Sequence, residues 1–393
     1  MSDGRPGHVV VVGAGLGGLR TAEELRQVGY DGVITLLGAE KHPPYSRPPL
    51  SKEVLRGDAE PSSAHLRDAQ AVEDLGVELL LGRRALQLDA ASNAVQLDDG
   101  TTLAYDRLVI ATGATPRTLA TLAGPNVHVL RTIDDCIALR DVLQARPRVV
   151  VVGAGFIGSE VASTARELGC AVTVLEVMPA PLVHALGEQI ATACADLQRG
   201  SGVDLRCGVA VTAVEGDRVW LDDGTFIEAD VVVVGIGVRP DIDWLEGSGL
   251  QVDNGVVCDE FCATSVEGVF AVGDVARWHN PLFGESMRLE HWTNATEQAC
   301  AVARNVVGDR TPFAPVPYFW SDQFGSKIQV LGVPRATDDV RVVHGSLEDG
   351  KFAAVYGRAG RLVGAVGFSC ARQVMTYRPM LATATAYDDA LAS

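Results

Sequence analysis

The sequence of 393 residues predicts an α/β fold with two Rossmann-like dinucleotide-binding domains and a small C-terminal α+β domain. Three observations support this prediction. A G-x-G-x-x-G fingerprint occurs twice, beginning at Gly13 and at Gly153. Continuous apolar segments of strand length accompany each copy, as is typical of parallel sheets that are covered on both faces. A different pattern, with aromatic residues and alternating apolar positions, begins near Pro312.

The first βαβ unit starts with four valines at positions 9–12, which lead directly into the fingerprint at 13–18. The pattern predicts a helix over residues 16–28 that ends at Gly29, followed by a strand over residues 33–37. In such a fingerprint the first glycine permits a tight turn and the second lets the backbone approach a pyrophosphate. The third lets the helix pack on the strand, so that the helix N-terminus faces the phosphates.

The second unit repeats this order. Four valines at 149–152 precede the fingerprint at 153–158, and we expect a helix over 156–168 and a strand over 171–175 to follow. With 42 glycines in the chain, roughly 0.5 matches to three glycines at this spacing are expected by chance. A single copy would therefore be weak evidence. Two copies, each between a strand and a helix, indicate a chain that binds two dinucleotides and passes electrons between them.

Three later apolar strands, over residues 108–112, 231–234 and 269–272, end at glycines. The first two follow acidic turns at Asp106 and Asp230, so the two halves of the repeat end in the same way.

The C-terminal part begins with the aromatic run at 318–320. The alternating segments after it predict a small antiparallel β domain with a helical tail. Residues from about Asp388 are expected to form a loose terminus.

The composition excludes several classes of function. A formal net charge of −17 disfavours nucleic-acid binding, because neutralising phosphates needs a basic face. No apolar run reaches the roughly 18 residues of a membrane span, and the valines at 9–12 lack the basic segment of a signal peptide. We therefore expect a cytoplasmic protein without membrane insertion. The eight cysteines form no C-x-x-C pair, and nothing completes a metal site around Cys258 and Cys262, so we expect reduced core thiols and no bound metal.

The residue that ends the strand after each fingerprint indicates which dinucleotide is bound, because an acid there takes the ribose hydroxyls. In the second unit this residue is Glu176, and residues 177–179 offer no arginine or lysine for a 2′-phosphate. Glu176 therefore predicts NADH rather than NADPH, the alternative being a residue that only caps the strand end. In the first unit the aligned position is Gly38, and the nearest acid is Glu40.

Further polar side chains are candidates for the site. Lys52 follows a segment stiffened by four prolines, in which Ser51 is placed to cap the next helix. Lys52 and Glu160, which we place in the first turn of the second unit's helix, would form a charge pair beside a redox ring. Taken alone, they are a surface lysine and a helix-dipole carboxylate. Asp274 follows a buried strand and is either a ligand of a bound group or a helix N-cap.

Six short segments resemble one family of flavoproteins. They are residues 48–52, 111–113, 235–237, 273–274, 290–295 and 318–323. Together they are similar to the FAD-containing NADH–ferredoxin reductases that serve cytochromes P450 and Rieske-type dioxygenases, of the putidaredoxin reductase and biphenyl dioxygenase reductase type. The resemblance covers essentially the whole chain, and it places the chain in the glutathione-reductase-like flavoprotein superfamily.

The resemblance implies one set of residues for each dinucleotide. Those implied for FAD are Gly13, Ala14, Gly15, Gly18, Glu40, Arg47, Lys52, Ala85, Arg131, Asp274 and Trp292. Those implied for NADH are Gly153, Gly155, Ile157, Gly158, Glu160, Glu176 and Gly237. The catalytic residues would be Lys52, near flavin N5, Glu160 as its counter-ion, and Trp320 near the nicotinamide. Read alone, Trp292 and Trp320 are packing residues.

The same resemblance implies three domains. Residues 1–112 and 240–317 would form a discontinuous FAD-binding domain, residues 113–239 the NADH-binding domain, and residues 318–393 the C-terminal domain.

The absence of cysteine after the first βαβ unit indicates where the electrons go. Disulfide reductases of the superfamily carry a redox cysteine pair there, and related NADH oxidases carry one cysteine, whereas residues 41–66 contain none. We therefore expect electrons to leave directly from the flavin. The resemblance implies that their acceptor is an iron–sulfur ferredoxin, which supplies a P450 or Rieske-type oxygenase. The alternatives are a rubredoxin or quinone reductase of the same fold, or a redox-responsive binding flavoprotein resembling apoptosis-inducing factor.

Overall fold

The structure, a computed structural model, describes residues 6–392. The strands in this part of the chain are β1 (His8–Val12), β2 (Val33–Gly38), β3 (Val77–Leu81), β4 (Ala85–Asp89), β5 (Ala94–Leu97), β6 (Thr102–Ala104), β7 (Arg107–Ile110), β8 (Ala114–Pro116), β9 (Val127–His128), β10 (Arg148–Val152), β11 (Ala171–Glu176), β12 (Asp204–Cys207), β13 (Val211–Glu215), β14 (Arg218–Leu221), β15 (Phe226–Glu228), β16 (Val231–Val234), β17 (Val238–Pro240), β18 (Val256–Cys258), β19 (Val269–Ala271), β20 (Ala276–Asn280), β21 (Glu285–Met287), β22 (Tyr318–Gln323), β23 (Ser326–Gly332), β24 (Asp339–Ser346), β25 (Lys351–Arg358) and β26 (Arg361–Phe368).

The α-helices are α1 (Leu16–Gln27), α2 (Glu53–Arg56), α3 (Ala69–Glu73), α4 (Ile133–Leu143), α5 (Phe156–Glu167), α6 (Val183–Gly200), α7 (Trp292–Val306), α8 (Ala371–Met375), α9 (Tyr377–Ala382) and α10 (Tyr387–Leu391). Short 3-10 helices lie at Pro48–Ser51, Pro61–Ala64, Asp243–Leu245 and Gly273–Val275. Within residues 6–392 no helix has the length and apolar character that crossing a membrane requires.

The chain divides into two compact units, each built from separate segments. The first unit contains residues 6–46, 65–115 and 239–315, and the second contains residues 47–64, 116–238 and 316–392.

The first unit is organised around a five-stranded sheet in the order β19-β7-β1-β2-β3, in which all neighbours are parallel. The valines of β1 are at most 3% exposed, because the sheet is covered on both faces. The second unit contains a corresponding parallel sheet in the order β12-β11-β10-β16-β9. In both sheets the valine strand lies centrally, next to the strand that follows its helix.

The two acidic turns have the same structural role in the two sheets. The Asp106 carboxylate accepts hydrogen bonds from the backbone N–H groups of Gly7 and His8, at the start of β1. The Asp230 carboxylate accepts from the N–H of Arg148, at the start of β10. Each turn therefore connects the beginning of the central strand to the beginning of its neighbour, and the predicted repeat is confirmed.

A third sheet, in the second unit, is antiparallel and has the order β22-β23-β26-β25-β24. Leu186, Ile190 and Cys194 of α6 pack with its apolar residues in one core cluster. The short helices α8 and α9 also contact the sheet. This arrangement confirms the predicted fold class, with two Rossmann-like parallel sheets and a small C-terminal α+β part.

The ends of several elements differ from the predicted ones. Helices α1 and α5 each end one residue earlier than predicted, because Val28 and Leu168 are C-caps. The predicted loose terminus after Asp388 was wrong, since residues 387–391 form α10. Ala390 is 1% exposed there, and the Tyr387 hydroxyl donates to the Asp339 carbonyl at 3.0 Å.

Candidate functional site

The first fingerprint forms an open turn between β1 and α1. Gly13 has a φ of +116°, and a Cβ at Gly18 would lie 1.9 Å from the Gly13 carbonyl oxygen, so neither position accepts a side chain without movement. A Cβ at Gly15, in contrast, would meet no atom beyond its chain neighbours within 4 Å. Gly15 is also the N-cap residue of α1. No side chain caps this end of the helix, and its first turn contains no acidic residue. This cradle fits a dinucleotide pyrophosphate, which the helix N-terminus favours electrostatically.

The second fingerprint has the same geometry between β10 and α5. Gly153 has a φ of +102°, and a Cβ at Gly158 would lie 2.2 Å from the Gly153 carbonyl oxygen. At Gly155 the nearest atom to a Cβ would be the Gly235 carbonyl oxygen at 4.0 Å. Ile157, in the first turn of α5, is 49% exposed, and Gly237 follows β16 with a φ of +94°. The residues present therefore fit a second pyrophosphate.

Glu176 is directed at the second cradle. It is the last residue of β11, and its carboxylate accepts the backbone N–H of Ala154 at 2.7 Å and that of Met178 at 2.9 Å. The side chain is 9% exposed, whereas the adjacent Val177 is 64% exposed. A carboxylate held at this position presents negative charge where the adenosine ribose of a dinucleotide binds.

Gly38 holds the aligned position in the first unit, and the structure explains why no acid stands there. A Cβ at Gly38 would lie 2.7 Å from the Ala14 Cβ, so the site has no room for a side chain. The nearest acid, Glu40, accepts a hydrogen bond from the Tyr45 hydroxyl at 2.5 Å. Ala85 begins β4 and is 8% exposed.

Lys52 and Glu160 are brought together within the second unit. The Lys52 ammonium donates to Glu160 Oε2 at 2.6 Å, and the two side chains are 17% and 4% exposed. Glu160 is the fifth residue of α5, so the predicted first-turn position and the reading as a helix-dipole carboxylate were wrong. The reading of Lys52 as an isolated surface lysine was also wrong.

Two serine hydroxyls complete this cluster, and the sequence did not identify them as site residues. Ser51 Oγ donates to Glu160 Oε2 at 2.5 Å, and Ser321 Oγ donates to Glu160 Oε1 at 2.6 Å. The predicted capping role of Ser51 was wrong, since Lys52 is the N-cap of α2 and no side chain caps that helix. Their position in the sequence was the available signal, because Ser51 and Ser321 lie in two of the six segments that carried the family resemblance, at 48–52 and 318–323.

Trp320 lies in the same strand as Ser321 but on the opposite face, because side chains alternate along β22. Its indole stacks on Tyr318 with ring centroids 6.1 Å apart, and the Lys327 ammonium lies 6.0 Å from its ring. On the other face, Phe319 contacts Phe156 of α5 edge-on at 4.9 Å.

Two arginines predicted for FAD meet in the second unit. The Arg47 guanidinium donates to the Arg131 carbonyl oxygen at 2.5 Å. Arg131 directly precedes a capping box, in which Thr132 and Asp135 satisfy each other's backbone N–H groups at the start of α4.

Asp274 and Trp292 both lie in the first unit. Asp274 belongs to the 3-10 helix Gly273–Val275, whose N-cap is Val272, so its reading as a helix N-cap was wrong. Its carbonyl accepts a hydrogen bond from Arg288 at 2.9 Å. The Trp292 indole N–H donates to the Ser46 hydroxyl at 3.2 Å. His291, just before it, is neutral at physiological pH because burial lowers its pKa to about 4.

The thiol that reaches the Lys52 segment is Cys136. It is fully buried and donates to the Leu50 carbonyl at 3.1 Å, and burial raises its pKa to about 11. A thiol with this environment is inert at physiological pH, because the thiolate is the reactive form.

A family model described as pyridine nucleotide-disulphide oxidoreductase matches residues 7–299, and one described as reductase C-terminal matches residues 318–393. Rhodocoxin reductase of Rhodococcus erythropolis is 39% identical, over 95% of this chain and 89% of the relative. The ferredoxin–NAD(+) reductase component of the anthranilate 1,2-dioxygenase system of Burkholderia cepacia is 39% identical, over 95% of this chain and 93% of the relative.

Among solved structures, the covalent putidaredoxin reductase–putidaredoxin complex contains a similar chain. It has a TM-score of 0.94 and 34% sequence identity, and the match covers 98% of this chain and 95% of that one.

Proposed function

The chain belongs to the pyridine nucleotide-disulphide oxidoreductase family, and from this premise we propose that it is an NADH-dependent ferredoxin reductase that contains FAD. One observation carries the proposal. The chain has two dinucleotide cradles, and the segment in which disulfide reductases place a redox cysteine contains Ser51 and Lys52 bonded to Glu160 instead. When bound, FAD accepts a hydride from NADH and releases the two electrons one at a time, which is the chemistry that a one-electron acceptor needs.

We assign the first cradle to FAD. Gly13, Ala14, Gly15 and Gly18 provide the turn and the backbone for the pyrophosphate. The other residues assigned to FAD are Glu40, Arg47, Lys52, Ala85, Arg131, Asp274 and Trp292.

We assign the second cradle to NADH, with Gly153, Gly155, Ile157 and Gly158 at the pyrophosphate. The other residues assigned to it are Glu160, Glu176 and Gly237. Glu176 selects NADH, because its carboxylate repels the 2′-phosphate of NADPH. Trp320 is assigned to the nicotinamide side. The division into an FAD-binding domain (1–112 and 240–317), an NADH-binding domain (113–239) and a C-terminal domain (318–393) is part of the same proposal.

The role of Lys52 and Glu160 is electrostatic. The Lys52 ammonium supplies a fixed positive charge for the negative charge that develops on the flavin ring. The Glu160 carboxylate orients that ammonium and balances its charge when the ring is oxidised. Both groups are removed from most solvent, which strengthens their effect.

The acceptor we propose is an iron–sulfur ferredoxin that supplies a cytochrome P450 or a Rieske-type oxygenase. One named relative is the ferredoxin–NAD(+) reductase component of a dioxygenase system, and the similar solved chain is a reductase in complex with putidaredoxin. A quinone reductase would use a membrane-binding C-terminal helix. Here the tail forms short helices in which Val374 and Leu381 are fully buried, and this argues against that alternative. We place the reaction in the cytoplasm, where NADH is available and thiols stay reduced.

The test uses the purified full-length protein. It should be yellow, should bleach with NADH under anaerobic conditions, and should reduce cytochrome c rapidly only when a ferredoxin is added. Rapid turnover of a disulfide substrate without ferredoxin would contradict the proposal.

A further inference from the structure

The Glu160 carboxylate is held at both oxygens by groups from separate parts of the second unit. Oε2 accepts from Ser51 Oγ and from the Lys52 ammonium, and Oε1 accepts from Ser321 Oγ. Ser51 and Ser321 are 3% and 1% exposed, so both hydroxyls are shielded from solvent. The proposed electrostatic role uses only Lys52 and Glu160, and both hydroxyls are additional to it.

We propose that Ser321 and Ser51 are positioning residues for flavin reduction, which fix the Glu160 carboxylate and through it the Lys52 ammonium. The inference rests on the proposed function. Lys52 and Ser51 share one oxygen of the carboxylate, and Ser321 is the donor at the other oxygen. Hydrogen bonds at both oxygens therefore fix the plane of the carboxylate. The carboxylate in turn positions the Lys52 ammonium, which lies 2.6 Å away.

The direction of the hydrogen bond from Ser321 is fixed by Glu160, because a carboxylate only accepts. Gln323 Nε2 donates to Ser321 Oγ at 3.1 Å. An amide nitrogen only donates, so the Ser321 oxygen accepts, and its single proton goes to Glu160 Oε1. The chain from Gln323 through Ser321 to Glu160 is thus polarised toward the carboxylate, and each bond strengthens the next.

Other contacts attach the same segments to α5, so the two hydroxyls are not needed for that attachment. The Phe324 backbone N–H donates to Ser163 Oγ at 2.7 Å, and this bond connects the end of β22 to the helix. Thr164 Oγ1 donates to the Ser51 carbonyl at 2.7 Å and holds the Lys52 segment. Ser163 bonds neither to Glu160 nor to the Lys52 segment in this pair, so it provides a matched control.

The experiment compares Ser321→Ala with Ser163→Ala in the full-length, FAD-loaded protein. We expect Ser321→Ala to lower the limiting rate of flavin reduction by NADH about tenfold, the rate equivalent of one lost buried hydrogen bond. The NADH concentration at half-saturation should change less than twofold, and the flavin midpoint potential, measured without NADH by dye equilibration, should become more negative. Ser321→Thr should restore most of the rate, and Ser163→Ala should leave rate and potential unchanged.

A double variant tests whether Ser321 acts through Glu160. In a Glu160→Gln background, Ser321→Ala should have no further effect, because the carboxylate that it positions is gone. An equal further loss in that background, an equal effect of Ser163→Ala, or a Ser321→Ala variant with native rate and potential would overturn the inference.

A second pair of variants covers the case in which Ser321→Ala does not fold. Ser51→Ala should then slow flavin reduction, while Ser163→Ala should not, and a native rate in Ser51→Ala would count against the inference. An unmodified protein that NADH fails to bleach would instead overturn the proposed function, so the two failures are distinguishable.

Discussion

The Lys52 ammonium and the Glu160 carboxylate form an ion pair of 2.6 Å between residues that are 108 positions apart in the chain. Glu160 is 4% exposed and Lys52 is 17% exposed, so the pair is largely removed from water. A buried charge without its partner is costly, by about 3–5 kcal/mol in comparable pairs. Glu160 is the ionic partner of the Lys52 ammonium, which also donates to the Pro48 carbonyl oxygen at 3.2 Å, so removing the carboxylate leaves this charge without its counter-ion.

Replacing the carboxylate should impair flavin reduction more than it impairs NADH binding. In Glu160→Gln the amide no longer balances the Lys52 charge, and we expect the limiting rate of flavin reduction to fall at least about tenfold. Stopped-flow spectroscopy of the FAD-loaded protein measures this rate directly. The matched control is Glu167→Gln, on the same helix, whose carboxylate pairs with Arg56 at the surface, 43% exposed. The control should keep the native rate, and a Glu160→Gln variant with the native rate would refute the role of the pair.

The sequence predicted the repeated architecture because each of its signals is local. Within one βαβ unit, a run of valines indicates a buried strand and the spacing of the glycines indicates a tight turn. The residue that ends the strand indicates a ligand contact. The pairing of Lys52 with Glu160 was proposed among the polar candidates, but no local pattern connects these residues, and the family resemblance gave each of them a role.

The sequence could not predict the hydroxyls on Glu160, because they depend on tertiary packing. Ser51 lies before a helix, where a cap is the usual role of serine, and the contact with α5 overrides that preference. Ser321 alternates with Trp320 along β22, and only the packing of that strand on α5 determines which of the two meets the carboxylate.

The Glu176 carboxylate should determine the choice between NADH and NADPH. Glu176→Arg replaces a charge that repels the 2′-phosphate with one that attracts it. We expect the ratio of kcat/KM for NADH to that for NADPH to fall roughly 100-fold, because juxtaposed like charges cost several kcal/mol. Steady-state assays with each nucleotide and a saturating acceptor give the ratio. Glu188→Arg makes the same charge change at an exposed position of α6 and should leave the ratio unchanged. If the ratio of kcat/KM for NADH to that for NADPH is unaltered in Glu176→Arg, Glu176 does not determine the choice of nucleotide.

The second glycine of each fingerprint should be dispensable for folding but not for binding. Gly15 and Gly155 have φ values of −81° and −70°, which any residue adopts, and a Cβ would fit at both positions. Gly15→Val should therefore fold without retaining FAD, while Gly155→Val should retain FAD and show a KM for NADH raised more than about tenfold. The ratio of visible to ultraviolet absorbance and NADH titrations measure the two effects. Full FAD content in Gly15→Val would contradict the assignment of the first cradle.

Gly18→Ala provides the contrast to these variants. Its Cβ would lie 1.9 Å from the Gly13 carbonyl oxygen, so the helix cannot keep its packing on the strand. We expect this variant to be strongly destabilised or insoluble, and thermal unfolding of any soluble fraction tests the expectation.

The cysteines should react slowly with alkylating agents in the native protein, and Cys207 should be protected by NADH. Cys207 is half-buried and lies beside Glu176, with which it pairs in register between β11 and β12. Burial raises its pKa, Arg199 opposes this shift, and Glu176 adds to it. Little thiolate therefore forms at pH 7.5, and labelling by iodoacetamide should still be rising above pH 9.

Cys300 is the matched control for that protection. It is also half-buried, and burial raises its pKa to about 11, but it lies in α7 of the first unit. Peptide mass spectrometry after timed alkylation should show slow labelling at both thiols and NADH protection at Cys207 alone. The fully buried thiols, such as Cys136 and Cys194, should react only after unfolding. Rapid labelling of Cys136 in the native protein would contradict the expectation that no reactive thiol lies at the Lys52 segment. Labelling of Cys207 at the same rate with and without NADH would contradict the placement of the dinucleotide beside Glu176.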